Sequence, residues 1–194
     1  KIEILTEHVF NNTSIFITDN GRGMSKDELY ANMQFPSRDM ESERDINDLG
    51  RFGLGMKTAS FSQTRKFTVI SRKKGTKEYS ALTWDVFHLK QTGKWEIIIN
   101  AKEEIQNLLD RYIKTSDNHL EKYDDYHPNT IVIWEGLKNF NNYLDSDKHI
   151  KHLNEELTAT TSEYLSVVFH EFMELTYNPL KIRLNNILVK PFNP

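Results

Sequence analysis

The 194-residue sequence predicts an α/β fold, a two-layer sandwich in which a mixed β-sheet is backed by α-helices. Short apolar or alternating runs recur along the chain, as strands do, and stretches with apolar residues at helical spacing separate them. No internal repeat and no Pro- or Ser-rich linker divides the chain. We therefore expect one domain over residues 1–194, which is long enough to bury a substantial core.

The first elements are predicted to be a β-hairpin and a short helix. "KIEILTE" and "TSIFIT" read as strands joined through Asn11 and Asn12, because asparagine tolerates turn conformations. In "SKDELYANM", Glu28 follows Ser25 by three positions, which is a capping-box pattern at a helix start. Residues 36–50 are polar and nearly without large apolar groups, so we expect a mobile loop or lid there.

The alternation of strands and helices continues to the end of the chain. A glycine turn in "RFGLGMKTASFS" leads into a helix, and "AKEEIQNLLDRYIK" has the spacing and terminal charges of an amphipathic helix. "TIVIWEG" is apolar on both faces, which predicts a central strand, and a helix is expected over residues 148–176. The remaining strands are predicted in "KFTVISRK", "EYSALTWDVF", "KWEIIIN", "LKIRL" and "ILVKP".

Composition excludes several classes of function. The absence of cysteine excludes disulfides and thiolate metal sites and favours a cytoplasmic setting, or a nuclear one in a eukaryote. No apolar run approaches the roughly 20 residues that cross a bilayer, so no membrane partner is expected. A net charge of −3 gives no global attraction to nucleic acid, and DNA binding would need a local patch. The basic run that could supply it, or be solvated hairpin charge instead, is Arg65, Lys66, Arg72, Lys73, Lys74 and Lys77.

The stretch "DNGRGM" is the first candidate site. Asp19 follows a buried strand, and its carboxylate is an acceptor for an exocyclic amine such as that of adenine. Gly21 and Gly23 permit positive φ and carry no Cβ, so a flat ring could lie against the backbone, with Met24 as an adaptable apolar wall. The alternative is a plain hairpin turn, because Asp-Asn-Gly is a strong turn former.

The stretch "GRFGLGMKTAS" is the second candidate site. Gly50, Gly53 and Gly55 precede a helix start that carries Lys57 and Thr58. Backbone N–H groups, the helix dipole and a nearby ammonium are what a phosphate site needs. The alternative is that the glycines only bend a loop into a helix.

A P-loop is not the best reading of this second stretch. Gly50 and Gly55 have the P-loop spacing, but Met56 intervenes before Lys57 and Thr58. The preceding "RDINDL" is also no hydrophobic strand, which the P-loop context requires. The phosphate site, if present, is therefore of another type.

Taken together, the two stretches resemble the GHKL ATPase superfamily of gyrase B, heat-shock chaperones, histidine kinases and MutL. "DNGRGM" is similar to the first glycine box of that superfamily and "GRFGLGMKTAS" to the second, whose form looks most like the MORC ATPases and their bacterial relatives. "NTIVIWEGL" is similar to the strand whose threonine joins the aspartate in holding adenine through water. That likeness places Thr130 beside Asp19, with Asn129 where glycine is usual.

The resemblance implies a Bergerat-type fold, with ATP on the sheet under a lid formed by residues 36–55. Lid closure commonly promotes dimerisation in the superfamily, so we expect a homodimer with nucleotide bound, which switches a larger and possibly DNA-associated protein. Lys57 is the expected catalytic residue. The residues expected to contact ATP are Asp19, Gly21, Gly23, Met24, Gly53, Leu54, Gly55, Met56, Lys57, Thr58 and Thr130.

One part of the superfamily pattern is expected upstream of this chain. GHKL ATPases carry a helix E-x-x-x-N-x-x-D before the first glycine box, whose asparagine binds Mg²⁺ and whose glutamate activates water. Glu7 and Asn11 have part of this spacing, but a hairpin is the better reading. A literal match downstream has Glu103, Asn107 and Asp110 on one helical face, in the wrong chain order. The rival function is a nucleotide sensor or interaction module without hydrolysis.

Overall fold

A computed structural model describes residues 1–9, 12–35, 55–120, 123–137 and 146–194. The described strands form one mixed eight-stranded sheet with the order β5-β4-β3-β6-β2-β1-β7-β8. All neighbouring strands are antiparallel except β1 and β7, which are parallel. The strands are β1 (Ile2–Val9), β2 (Asn12–Asp19), β3 (Thr64–Ser71), β4 (Ser80–Asp85), β5 (Ile98–Ile99), β6 (Thr130–Leu137), β7 (Ile182–Leu184) and β8 (Ile187–Leu188).

The helices lie between the strands along the chain, as the sequence predicts. A π-helical segment, Glu156–Thr161, joins two of them. None of the described helices is long and apolar enough to cross a membrane. The α-helices are α1 (Lys26–Met33), α2 (Gly55–Gln63), α3 (Val86–Thr92), α4 (Lys102–Asp117), α5 (Ser146–Glu155), α6 (Ser162–Val168) and α7 (His170–Met173).

One face of the sheet, here called face A, is covered by α4. Face A carries Leu5, Phe16 and Ile133, which are directly opposite one another in the strand register. The helix packs Ile105 and Tyr112 on these residues, and all five side chains are buried. Burial of an apolar side chain of this size contributes about 1.5–3 kcal/mol, so this contact fixes α4 on the sheet.

The opposite face, face B, carries the other helices in two groups. Helices α1 and α2 cover β3 and β4, where Leu29 and Met33 pack among Phe67 and Trp84. The segments from α5 to α7 form a second cluster around β1, β2 and β7. Between these groups runs the central part of face B. The predicted mixed α/β sheet is confirmed, and α4 on face A means that the sheet carries helices on both sides.

Several predicted elements have different bounds, and of the strand predicted in "KWEIIIN" only β5, Ile98–Ile99, is formed. "EYSALTWDVF" is not all strand, because β4 ends at Asp85 and the side chain of Asp85 caps the next helix, α3, by accepting from Phe87 N–H at 2.8 Å. The helix expected over residues 148–176 is interrupted by the π segment and by a turn at Phe169. The hairpin, the capping box of α1 and the central position of β6 are confirmed.

Candidate functional site

Five residues form one row across face B, because each is directly opposite the next in the strand register. The register aligns Asp19 with Thr130 and Thr130 with Ser71, and the row ends at Ile2 and Ser80. Residues opposite one another in antiparallel strands project from the same face with Cβ atoms about 5 Å apart. The Asp19 carboxylate and the Thr130 hydroxyl are therefore neighbours on face B.

The carboxylate of Asp19 is held by the turn that follows it. Gly21 N–H donates to Asp19 Oδ1 at 2.8 Å, and Asn129 N–H donates to the Asp19 carbonyl oxygen at 2.7 Å. Within the described ranges, Asp19 Oδ2 has no hydrogen-bond donor. Burial raises the pKa of Asp19 above its ordinary value, and the Gly21 hydrogen bond offsets part of that rise. A partly desolvated acceptor oxygen with no donor is suited to bind a donor on a ligand.

Gly23 is required by the geometry of the same turn. Its φ is +61°, and a Cβ there would overlap the carbonyl oxygen of Arg72. The next residue, Met24, donates its backbone N–H to Ser71 Oγ at 2.9 Å. The turn is therefore closely packed on the end of β3, as only glycine allows at position 23.

Ser71 determines which way the Thr130 hydroxyl points. Ser71 Oγ donates to the Asn129 carbonyl oxygen at 3.0 Å and lies 3.1 Å from Thr130 Oγ1. Serine has a single hydroxyl proton, so the Thr130 hydroxyl is the donor in the second contact. Both lone pairs of Thr130 Oγ1 are then left as acceptors for a ligand. Asp19 and Thr130 thus both present acceptors on face B.

Apolar side chains continue the surface beside these two acceptors. Ile2, Ile4 and Ile17 lie on face B against the C-terminal helix cluster, and Val132 lies against the cluster of α1 and α2. All four keep part of their surface exposed, unlike Leu5, Phe16 and Ile133 on face A of the same strands. The result is an apolar strip with acceptors at one end, which is the composition of a typical small-molecule site.

Helix α2 begins at the second glycine stretch. Gly55 is its first residue and has open space where a Cβ would be. Thr58 Oγ1 donates to the Gly55 carbonyl oxygen at 3.2 Å, and Met56 packs against the α1–α2 cluster. The free N–H groups and the dipole of a helix start attract anions.

Lys57 is buried on the inner side of α2. Its ammonium donates to the carbonyl oxygens of Asn32 at 2.7 Å and Gln34 at 2.6 Å, and it lies 4.8 Å from the centre of the Phe35 ring. The side chain has no exposed surface. In this state Lys57 fastens the end of α1 to the start of α2, and the carbonyls it binds are those that a helix end leaves unpaired.

Burial lowers the pKa of Lys57 to about 8. The Lys57 ammonium therefore loses its proton near pH 8, whereas the pKa of a lysine in water is near 10.5. Two of the three N–H groups of the ammonium are used by these carbonyls, so a contact between Lys57 and phosphate would use the third and requires the buried ammonium to become accessible. The predicted phosphate contact and catalytic role of Lys57 stay predictions.

One family of known proteins matches this chain. The family model described as "Histidine kinase-, DNA gyrase B-, and HSP90-like ATPase" matches residues 1–117, which is more than half of the chain. The chain belongs to this ATPase family. The match includes both glycine stretches and the whole of α1 and α2.

The relatives found among known proteins are chaperones of the same ATPase superfamily. Chaperone protein HtpG of Rickettsia canadensis is 30% identical over 135 residues, covering 57% of this chain and 21% of the relative. HtpG of Paramagnetospirillum magneticum is 25% identical over 182 residues, covering 85% and 27%. HtpG of Sulfurovum sp. is 26% identical over 163 residues, covering 79% and 24%. The chain spans about a quarter of the length of these relatives, and the closer likeness to MORC ATPases stays a prediction.

Some expected parts of the ATPase site lie outside the described residues. These are Gly53, Leu54 and the lid, of which only Gly55 is described. Glu103, Asn107 and Asp110 are described, but they are exposed on α4, across the sheet from Asp19. The downstream match to the magnesium-binding helix is therefore not part of this site. Within the described residues, no group of three or more His, Asp or Glu side chains could hold a metal ion.

Three residues that surround the candidate site were not predicted as part of it. Ser71, Arg72 and Asn129 surround the turn after Asp19 through side-chain hydrogen bonds. Two of them follow from the strand assignments, since Ser71 ends β3 and Asn129 precedes β6, next to the row of Asp19. Only the pairing of β3 with β6 brings them together, and no local pattern in the sequence shows that pairing.

Proposed function

We propose that the strip on face B binds ATP, with Asp19 accepting a hydrogen bond from the adenine amine. The observation that carries this proposal is the alignment of Asp19 with Thr130 beside exposed apolar residues, in a chain of an ATPase family. The adenine ring would lie on Ile17 and Val132, bordered by Gly23 and Met24. Gly21 would hold the carboxylate in place, and Thr130 would accept from a bridging water.

The phosphates would extend toward the start of α2. Gly55, Met56 and Thr58 belong to the first turn of that helix, whose N–H groups and dipole favour an anion. Gly53 and Leu54 keep their predicted role in the same site. For Lys57 we propose two roles: it anchors α1 and α2 in the described state, and its third N–H contacts phosphate when the buried ammonium becomes accessible.

We further propose that the protein hydrolyses ATP with Mg²⁺. The metal, when bound, offsets the negative charge of the phosphates. The described residues offer no cluster that fits it, so we assign no ligand for it in this part of the chain. The chain's own contribution is to bind and orient the nucleotide. A nucleotide sensor without hydrolysis is the rival, and release of phosphate from ATP by the wild type but not by Asp19→Asn supports the enzyme.

The binding proposal is tested by titrating ATP into the wild type and two isosteric variants. Asp19→Asn keeps the shape but replaces an acceptor oxygen with a donor, and Thr130→Val removes the hydroxyl. We expect at least a tenfold loss of affinity for Asp19→Asn, because an unmatched polar contact costs about 1–3 kcal/mol. Asp110→Asn, on the exposed side of α4, is the control. Equal affinities for the wild type and Asp19→Asn would exclude this site.

We also propose that nucleotide binding closes the lid and promotes dimerisation, which would switch a larger protein in the cytoplasm. Support comes from membership of the ATPase family, in which relatives are several times longer than this chain. The mass of the protein in solution, measured with and without a non-hydrolysable ATP analogue, tests the dimer. A monomer under both conditions, at nucleotide concentrations that saturate the site, would contradict it.

DNA binding is a separate proposal. Fewer basic residues could carry it than the sequence suggests. Arg65 and Lys66 lie at one end of β3 and Arg72 at the other, about 20 Å away, so the basic run is not one patch. Lys73 forms an ion pair with Glu28 at 2.6 Å. Lys74 and Lys77 remain exposed from this run, and Arg22 lies beside Lys74, whose backbone N–H donates to the Arg22 carbonyl oxygen at 2.9 Å. Binding of a labelled DNA duplex that weakens in Lys74→Glu and with rising salt would support it.

A further inference from the structure

We propose that Asn129 and Arg72 form a clamp that positions the Asp19 carboxylate and so sets the preference of the site for adenine. This inference rests on the proposed nucleotide function and goes beyond it, because neither residue is expected to touch the nucleotide. Both are positioning residues. Asn129 also stands where the family resemblance has glycine, so the clamp is a feature of this chain.

Asn129 makes hydrogen bonds with both its main chain and its side chain. Its backbone N–H donates to Asp19, and its carbonyl oxygen accepts from Arg72 N–H at 2.9 Å and Ser71 Oγ at 3.0 Å. Its side-chain Nδ2 donates to the Gly21 carbonyl oxygen at 2.8 Å, and Oδ1 accepts from Arg72 Nε at 3.1 Å. The residue is 6% exposed. A buried amide with both ends bonded holds one orientation.

The clamp reaches the carboxylate through a single residue. Gly21 donates its N–H to Asp19 Oδ1 and accepts from Asn129 Nδ2 at its carbonyl oxygen. The amide of Asn129 therefore fixes the residue whose N–H holds the carboxylate. Without that amide, the Gly21 carbonyl loses its partner and the turn gains freedom.

Arg72 is itself held in place. Its guanidinium lies 4.6 Å from the centre of the Tyr79 ring, a cation–π distance, and Tyr79 OH donates to the Pro128 carbonyl oxygen at 2.6 Å. Pro128 directly precedes Asn129, so the chain of contacts closes on itself. Contact with the turn is also direct, because a Cβ on Gly23 would lie 3.1 Å from Asn129 Cβ.

A fixed carboxylate distinguishes bases that a loose one would accept. Adenine presents an amine to Asp19, whereas hypoxanthine, the base of inosine triphosphate, presents a carbonyl oxygen at the same position. Two acceptors facing each other leave both groups unpaired, which a rigid site cannot relieve. A mobile carboxylate can turn away and avoid the clash. Loss of the clamp should therefore weaken ATP binding and reduce the preference for ATP over inosine triphosphate.

The test measures the affinities of the protein for ATP and for inosine triphosphate. We expect Asn129→Gly to weaken ATP binding roughly fivefold or more and to lower the ratio of the two affinities by a similar factor. Arg72→Lys keeps the charge but loses the Nε hydrogen bond, and it should shift the same ratio in the same direction. Asn178→Gly, at an exposed residue with φ of +52°, is the matched control and should change neither affinity.

The outcomes separate this inference from the proposed function. If the wild type binds neither nucleotide, the proposed function fails and the clamp fails with it. If the wild type prefers ATP and both variants keep its affinity and its preference, the clamp is wrong while the function stands. If Asn129→Gly does not fold, Arg72→Lys decides. A uniform loss of affinity with an unchanged preference would also overturn the inference, because a general structural defect predicts that result.

Discussion

At the scale of single residues, Gly23 is the position where the backbone geometry most strictly requires glycine. Alanine there would adopt an unfavourable positive φ and overlap the carbonyl oxygen of Arg72. We expect Gly23→Ala to lower the free energy of unfolding by more than about 2 kcal/mol, measured by urea denaturation. Gly75→Ala is the control, because Gly75 has φ of +88° but open space around its Cβ position. A similar loss in both variants would mean that strain alone, and not the close approach, matters at position 23.

Lys57 gives a prediction with a defined dependence on pH. Its folded pKa of about 8 lies below the unfolded value of 10.5, so between these values the unfolded chain binds more protons. The free energy of unfolding therefore rises with pH across this window. Lys57→Met removes this contribution and leaves the carbonyls of Asn32 and Gln34 unpaired.

Urea denaturation at pH 7.5, 8.5 and 9.5 measures this effect. We expect the wild type to gain stability relative to Lys57→Met as pH rises, because the charged ammonium is the costly form when it is buried. Lys90→Met, on α3 and exposed, is the control for the general titration of lysines. A constant difference between the wild type and Lys57→Met over this range would show that the Lys57 ammonium titrates normally.

At the scale of elements, α4 is tied to the sheet by ions as well as by apolar contacts. Arg111 bonds to Glu7 on β1 at 2.5 Å and to Glu135 on β6 at 3.0 Å. Arg111→Met would leave two largely buried carboxylates without this partner. We expect a loss of about 2 kcal/mol in the free energy of unfolding, less than for a fully buried pair because Arg111 is one-third exposed.

Helix α4 supplies the control for Arg111, and the two strands that carry its partners supply the rescue. Lys114→Met lies one turn further along α4 at an exposed position and should cost little. Adding Glu7→Gln and Glu135→Gln to Arg111→Met should restore part of the stability, because neutral amides are cheaper to bury than carboxylates. If the triple variant is no more stable than Arg111→Met, the loss comes from packing of the arginine stem instead.

The helices and strands also show which features can be predicted from the sequence and which cannot. Most helices and strands were predicted because apolar spacing and caps such as Ser25 are local signals. Helix α3 was missed, although Asp85 is a good N-cap, because the strand-like run "SALTWD" precedes it directly. The interruption at Glu156–Thr161 has no sequence signal that we recognise.

The candidate site likewise contains features that the sequence predicts and features that it does not. Asp19 and Gly23 were predicted from one local motif and Thr130 from one strand, and the register brings Asp19 and Thr130 together. The surroundings of Lys57 could not be predicted, because they depend on how the end of α1 meets α2. Motifs therefore indicate candidate site residues, while tertiary contacts decide which way their side chains point.

At the scale of the whole molecule, nucleotide binding should appear as stability. A ligand that binds only the folded state raises the free energy of unfolding by about 2.7 kcal/mol at a hundred times its dissociation constant. For a chain of this length, that corresponds to roughly 5–10 °C in melting temperature. We expect a non-hydrolysable ATP analogue to produce such a shift in the wild type and, at the same concentration, a shift of about half that size or less in Asp19→Asn, because a tenfold loss of affinity leaves about 1.4 kcal/mol.

The same melting experiment separates binding from dimerisation, because the two depend on different concentrations. Binding of nucleotide to a monomer makes the melting temperature depend on nucleotide concentration alone, whereas a dimer makes it depend on protein concentration as well. If nucleotide drives assembly, a tenfold increase in protein should raise the melting temperature with the analogue present and leave it unchanged without it. If the rise in melting temperature does not depend on protein concentration, each chain binds nucleotide as a monomer. The proposed switching role would then require a conformational change within one chain.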